Sequence, residues 1–290
     1  MSSKILRGLK AFVAHYGVGA LDRDNMNAIA ADLLPEPGLP FPPLQIPQYK
    51  PYVGPKYTLK RIHCPVLLGY FTALHVVKHA IFVLSEKTDD GMRPWMSTET
   101  MELESHMPHI SAAHGNVIVC GLGMGVALYN IASKPEVNRV WVVDNDRVVV
   151  NAFKDFSKYK SWSKELRDKI EFVHADVMTD RIDDLPTIDY MYVDVWDTLY
   201  GDGDVTITQR AYQCLKGQTP RFLGFWGQEL HFASWCRANE LEVDEAAWSP
   251  FCEFLGLPLM APSNIGLDTY AALCKQAWSN IADGHFPRFG

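Results

Sequence analysis

Cysteine is scarce and scattered in this chain of 290 residues. The six thiols (Cys64, Cys120, Cys214, Cys236, Cys252 and Cys274) never fall within four positions of one another, so zinc-knuckle and CxxC spacings are excluded. An excess of basic charge is missing too. Twenty-seven Lys and Arg face 34 Asp and Glu, a net of −7, which argues against a nucleic-acid partner held by phosphate contacts and suits a neutral or cationic small molecule. The opening MSSKILRGLKAFVAHYG has no long apolar core ahead of a small-residue cleavage site, so no secretory signal is read. The longest apolar stretch, Cys64 to Leu84, is broken by His75, Lys78 and His79 and does not read as a membrane span. Reduced thiols in a cytoplasmic protein are the expectation. Internal repeats, low-complexity tracts, a G-x-S-x-G elbow, a Walker loop and an Asp/Asn/Ser-Pro-Pro-aromatic element are all absent.

Ample apolar material is present: 48% of residues are hydrophobic and 21% charged, enough for a large core and too much for disorder. Residues 4–34 carry helix-like spacing. The proline-dense run that follows, LPEPGLPFPPLQIPQYKPYVGP, fits neither a helix interior nor a central strand. It reads as an extended strap anchored by Leu39, Phe41, Leu44, Ile46, Tyr49 and Tyr52. Strands are predicted near Tyr57–Ile62 and Ala80–Ser85, and a helix over roughly Thr98–Ala113 with Pro108 as a kink. From Asn116 strands and helices alternate: VIVCG, then GMGVALYNIAS, RVWVVD, DRVVVNAFKDF, IEFVHAD, IDYMYVDVW, QRAYQCL and RFLGFW. That alternation predicts an α/β fold with a Rossmann-like, mostly parallel sheet, helices on both faces and ligands at the strands' C-terminal edge. The tail reads as helical over Glu229–Ala238, Glu245–Leu255 and Leu267–Ile281. An N-terminal helical, proline-rich and β extension (residues 1–114) is expected to cover the active site of a domain spanning residues 115–290.

Cys120-Gly121-Leu122-Gly123-Met124-Gly125 lies between a strand and a helix, where glycines permit a sharp turn and close ligand approach. A dinucleotide turn wants a small residue at its sixth position; Val126 stands there, which disfavours an NAD-dependent oxidoreductase. Asp144 ends the next strand, where a carboxylate can receive both hydroxyls of a ribose. Its neighbour Asp146 is the better helix cap. Asp176 and Asp194 close the third and fourth strands, so four successive strand ends present Gly-Leu-Gly and three acids along one edge.

These elements resemble the class I S-adenosylmethionine-dependent methyltransferases over about Val117 to Trp226, through VIVCGLGMG, VWVVDND, FVHADV and IDYMYVDVWD. The resemblance implies S-adenosylmethionine, or its decarboxylated form, as cofactor. It places Cys120, Gly121, Leu122, Gly123 and Gly125 along the methionine moiety, Asp144 with Asn145 at the ribose, and Asp176 with Val177 at the adenine. Val119 stands where many members carry an acid. An apolar first strand, an acid-x-acid pair (Asp144-Asn145-Asp146) and a D-x-x-D element (Asp194-Val195-Trp196-Asp197) are similar to spermidine synthases, as are Glu102 and Glu104 on a helix after a small β unit. Methyl transfer to a small-molecule acceptor leads; aminopropyl transfer and a non-catalytic adenosyl-binding protein are the alternatives.

In-line transfer from a sulfonium asks the protein mainly for alignment, water exclusion and, for some acceptors, proton removal. Asp194 is the expected contact to the nucleophile or the cofactor's charged end. Asp197 and Tyr200 are read as general base or hydrogen-bond partner, against a solvated loop acid for Asp197. Glu102, His106 and His109 share a helix face and read as a polar face near the cleft in preference to a metal site, since Pro108 intervenes. Trp226, Gln228, Glu229 and His231 are read as lining the substrate side or starting a surface helix. Cys120 reads as packing, and the proline-rich arm is compatible with a homodimer.

Overall fold

The computed structural model describes residues 38–63, 66–72, 74–76, 80–182, 185–215 and 220–281; the helix read over residues 4–34 and the pair His75/His79 lie outside what is described of chain or side chain. From residue 38 to 51 the prolines leave no regular structure, yet the strap is anchored. The Tyr49 hydroxyl donates to the buried Met124 carbonyl (2.9 Å), and Gln45 exchanges two 2.8 Å hydrogen bonds with the Asn130 amide. Phe41 and Tyr49 are buried, whereas Ile46, read as an anchor, is exposed.

An antiparallel sheet follows, built from β1 (Tyr52–Val53), β2 (Tyr57–Ile62), β5 (Ile81–Thr88) and β6 (Gly91–Ser97) in the order β1-β2-β5-β6. Between β2 and β5 lies a small hairpin of β3 (Val66–Leu68) and β4 (Leu74–Val76). Sequence pattern missed β6, because Gly91-Met-Arg-Pro-Trp-Met-Ser has neither clean alternation nor a β-branched run. Its register also shifts at Leu84/Ser85, where Pro94 enters. Helix α1 (Thr100–Ala112) then continues through Pro108.

The second sheet is parallel throughout. Its strands β7 (Gly115–Cys120), β8 (Val137–Asp144), β9 (Ile170–His174), β10 (Tyr190–Val193) and β11 (Phe222–Phe225) lie in the order β11-β10-β7-β8-β9. Side-chain alternation sorts the two cores. Val117, Val119, Val140, Val142, Tyr190 and Tyr192 face one way, with α1, α2 (Val126–Ser133) and α3 (Arg147–Phe156). Ile118, Cys120, Trp141, Val143, Met191 and Val193 face the other. There they meet α5 (Asp204–Cys214), α6 (Gln228–Ala238), α7 (Glu245–Leu255) and α8 (Leu267–Ile281); short α4 (Lys164–Asp168) leads into β9. The fold is thus α/β and Rossmann-like with helices on both faces.

Among the described residues no strand follows β11. Its outer edge is covered by a single parallel bridge, Leu223 to Leu259, with Leu223 N–H on the Pro258 carbonyl and Met260 N–H on the Leu223 carbonyl. No described helix is long and apolar enough to cross a membrane. If the strap is integral to the core, Tyr49→Phe leaves the Met124 carbonyl unpaired and lowers the unfolding free energy by about 1–3 kcal/mol. Urea denaturation measures this, and an unchanged midpoint would show that the strap merely lies on the surface.

Candidate functional site

The parallel sheet reverses its order between β7 and β10, the place where open α/β sheets leave a crevice. Here the two strand ends abut. Asp194 N–H donates to the Cys120 carbonyl (2.8 Å), and the Asp194 carbonyl occupies the space a Cβ on Gly121 would need. Gly121 also has φ +94°, a conformation open to glycine. At Gly123 (φ +49°) the corresponding space is filled by the Met96 thioether, reaching over from β6. The glycine loop is therefore a floor pressed against β10 and roofed by the N-terminal sheet.

Above this floor opens a cleft of about 690 Å³. Gly121, Leu122, Gly123, Asp144, Asn145, Asp176, Val177 and Asp194 all line it, together with Lys56, Tyr57, Trp95, Met96, Asp146, His174, Asp180 and Trp196. Cys120 is wholly buried in the strand, and Gly125 serves as the N-cap of α2; neither lines the cleft.

Each acid has a definite local role. Asp144 accepts Leu122 N–H at one oxygen (3.0 Å) and Asp146 N–H at the other (2.8 Å). Burial raises its pKa above the usual aspartate value, with these two amides pulling the other way. A carboxylate has about four lone-pair sites, so two donors leave each oxygen able to accept again. Asp146 caps α3 through Val148 N–H (2.7 Å), as its sequence position suggested, and its second oxygen takes both Lys56 Nζ and the Tyr57 hydroxyl (2.7 Å each). Burial works to raise Asp146, but these hydrogen bonds outweigh it and hold the carboxyl below the ordinary range. Asp176, two residues past β9, accepts Met178 N–H (2.8 Å) in a local turn. Trp95 stacks on Tyr57 with ring centroids 5.1 Å apart, so the latch on Asp146 also positions the aromatic wall.

Asp194 differs from the others. Its side chain is 11% exposed, and its carboxyl stands 4.0 Å from His106 Nδ1. Burial pushes its pKa up to about 7. Nearby, Glu102 is driven to about 8, chiefly by burial, although it accepts Ser97 N–H (2.6 Å) and the Ser97 hydroxyl (3.0 Å).

Two residues expected at the site stand apart from it. Asp197 is exposed and ion-paired to Arg93 (2.8 Å) at the end of the N-terminal sheet. Tyr200 (φ +63°) turns its ring onto His231 and Trp278 and donates its hydroxyl to Ser234 (2.7 Å). The helix face read from α1 divides as well. Glu104 is buried and accepts Phe71 N–H, Thr72 N–H and the Thr72 hydroxyl, while His109 lies in the core 3.6 Å from Glu229. Gln228 and Glu229, read as substrate-side or surface, are fully buried, with Tyr270 donating to Glu229 at 2.7 Å. Among the described residues no group of His, Cys, Asp and Glu is arranged to hold a metal. Sequence reasoning missed the roof of Lys56, Tyr57, Trp95 and Met96, since nothing in their spacing announces that Met96 reaches Gly123 and that Lys56 and Tyr57 reach Asp146.

No protein-family model and no curated protein matches this sequence. Solved structures resemble parts of it. The methyltransferase domain of bacterial CtHen1 aligns at 21% identity over 37% of this chain and 53% of its own, TM-score 0.30. The N-methyltransferase NodS from Bradyrhizobium japonicum aligns at 19% over 49% and 73%, TM-score 0.30. The [4+2]-cyclase SpnF aligns at 14% over 43% and 45%, TM-score 0.31. The chain spans about half the length of the CtHen1 chain it matches. Function has to be argued from the cleft.

The raised Asp194 makes a signed prediction. A carboxyl whose folded pKa exceeds its unfolded one stabilises most when protonated. Its contribution is full below about 3.9 and is lost as pH rises through about 7. Asp194→Asn removes that loss. The variant's unfolding free energy relative to wild type should grow by roughly 2–4 kcal/mol between pH 4 and pH 8; a flat difference in denaturation across that range would show that Asp194 ionises freely.

Proposed function

We propose that the protein is an S-adenosylmethionine-dependent methyltransferase acting on a small molecule in the cytoplasm. The observation that carries this reading is the convergence of the glycine floor, Asp144, Asp176 and Asp194 on one cleft at the switch point of a parallel sheet. The residues fit an adenosyl group. Asp144 keeps acceptor capacity on both oxygens for a pair of ribose hydroxyls, Asp176 and Val177 stand at the next strand end for the base, and Gly121, Leu122 and Gly123 line the same cleft. When bound, the sulfonium supplies an electrophilic carbon with a neutral thioether as leaving group. The chain's own task is then placement. Asp194 meets the acceptor or the cationic centre, while Tyr57, Trp95 and Met96 exclude water from above. Support for the cytoplasm comes from the free thiols of Cys120, Cys214, Cys236, Cys252 and Cys274.

Charge favours a second reading. Lys56 is the single lysine or arginine among the described lining residues, and it is engaged by Asp146 (2.7 Å) and Glu86 (3.3 Å). The carboxylate of S-adenosylmethionine therefore has no free counter-charge there, whereas the decarboxylated cofactor used in aminopropyl transfer would bring only positive charge to an acidic cleft.

Thermal-shift titration with S-adenosylmethionine, its decarboxylated form, S-adenosylhomocysteine and NAD separates these readings. A ligand at a hundredfold excess over its Kd stabilises by about 2.7 kcal/mol. Stabilisation by S-adenosylmethionine and S-adenosylhomocysteine is expected, preference for the decarboxylated compound would promote aminopropyl transfer, and response to NAD alone would overturn both. Asp144→Ala should weaken adenosyl-ligand binding by about 1.5–3 kcal/mol, the loss of charged hydrogen bonds; unchanged affinity would remove Asp144 from the ribose.

A further inference from the structure

Beside Asp194, outside the residues that line the cleft, sits a pair of polar side chains that the reading above does not use. His106 on α1 is 3% exposed, and its Nδ1 lies 2.7 Å from the hydroxyl of Tyr192, a wholly buried residue of β10. The couple is buried among aromatic rings. The His106 ring stacks on Trp226 (23° between planes) and meets Tyr192 edge-on, while Tyr192 stacks on His109. A tyrosine and a histidine in a strand–helix core are costly to bury, and apolar residues would pack that space without a desolvation penalty. Their position gives a reason for them. The same His106 Nδ1 that meets Tyr192 is 4.0 Å from Asp194 Oδ2, about an ångström beyond hydrogen-bond range.

We propose that His106 and Tyr192 are positioning residues for Asp194, furnishing hydrogen bonds to its inner oxygen so that the carboxylate can take a proton from an acceptor whose nucleophilic atom carries one, an amine or a hydroxyl. This rests on the transferase reading and narrows its acceptor: a thioether or a tertiary amine needs no base, so such a couple would be idle beside the carboxyl. In the proton step the acceptor's N–H or O–H bond breaks, its electron pair stays on the nucleophile, and an O–H bond forms at Asp194. The imidazole and phenol remain neutral and turn their hydrogen bonds toward the carboxyl as its charge requires. The loop residues Asp197 and Tyr200, expected for this task, are turned to Arg93 and Ser234 instead.

The groups facing Asp194 define what the test must separate. From α1 come His106 and Glu102, the latter's own pKa raised chiefly by burial and further by Glu99 and Asp194; from β10 comes Tyr192. Burial sends Asp194 to about 7 and holds His106 neutral, near 4. Hydrogen bonds from the couple to the carboxylate favour the charged form, so deleting them moves its midpoint upward.

The experiment compares affinities for S-adenosylmethionine, a sulfonium cation, and S-adenosylhomocysteine, a neutral thioether, between pH 5.5 and 9 by calorimetry. In the wild type the ratio favouring the sulfonium should rise about tenfold with a midpoint near pH 7, and Asp194→Asn should abolish the rise. His106→Phe and Tyr192→Phe should each shift the midpoint upward by half a unit or more, and His106→Gln, which retains a donor, should restore it toward wild type. Tyr192→Phe keeps the ring and guards against a fold lost through His106. An unmoved midpoint in folded Tyr192→Phe and His106→Phe overturns the positioning role. If neither adenosyl compound binds the wild type, the cofactor reading fails instead. The couple is then judged by the pH midpoint of unfolding in the same variants, where an upward shift relative to wild type retains it and no shift discards it.

Discussion

The structure turns on one backbone junction. Where β7 and β10 end side by side, the Asp194 amide is bonded to the Cys120 carbonyl, and the Asp194 carbonyl fills the space left by the missing side chain of Gly121. This contact fixes the glycine loop and the buried carboxyl against each other at the point where strand order reverses. Any residue with a Cβ at Gly121 would have to push β10 aside. Because parallel strands send their C-terminal ends to one edge, the same junction brings Asp144 and Asp176 within reach of one cleft.

Closure comes from a different part of the chain. The N-terminal sheet is fastened over the cleft on two sides, by Lys56 and Tyr57 on Asp146 and by Arg93 on Asp197, with Met96 seated on Gly123 between them. Asp146 carries a double duty, since it also caps α3, and its carboxyl is held ionised by those same donors. The result is a strongly acidic cleft whose one described cation is already paired. That asymmetry favours positively charged ligands and places the least satisfied carboxyl, Asp194, at the buried end.

Much of this was legible in the sequence, because local signals sufficed. The five parallel strands announced themselves as apolar runs, four of them leading to Gly121, Asp144, Asp176 and Asp194, and α7 and α8 span the residues their periodicity marked out. The cap at Asp146 followed from its position one residue before a helix. What stayed hidden depends on contacts distant in sequence. Strand β6, with Pro94 and two methionines, has no strand pattern of its own and exists because β5 pairs with it. Glu229 and Gln228 look like a surface helix start until Tyr70, Tyr270 and α8 close over them. Asp197 and Tyr200 sit in an acidic, glycine-rich loop whose direction no spacing encodes. His106 could be placed on a helix face, but its meeting with Tyr192 required both the sheet register and the packing of α1.

The central claim is that an adenosyl group occupies the switch-point cleft. Crystals grown with S-adenosylhomocysteine test it most directly. The account predicts electron density for the ribose at the Asp144 carboxyl, the base beside Asp176 and Val177, and the sulfur toward Asp194. Density for the compound at any other place on the molecule, with the cleft between Gly121 and Asp144 holding none of it, would contradict the account.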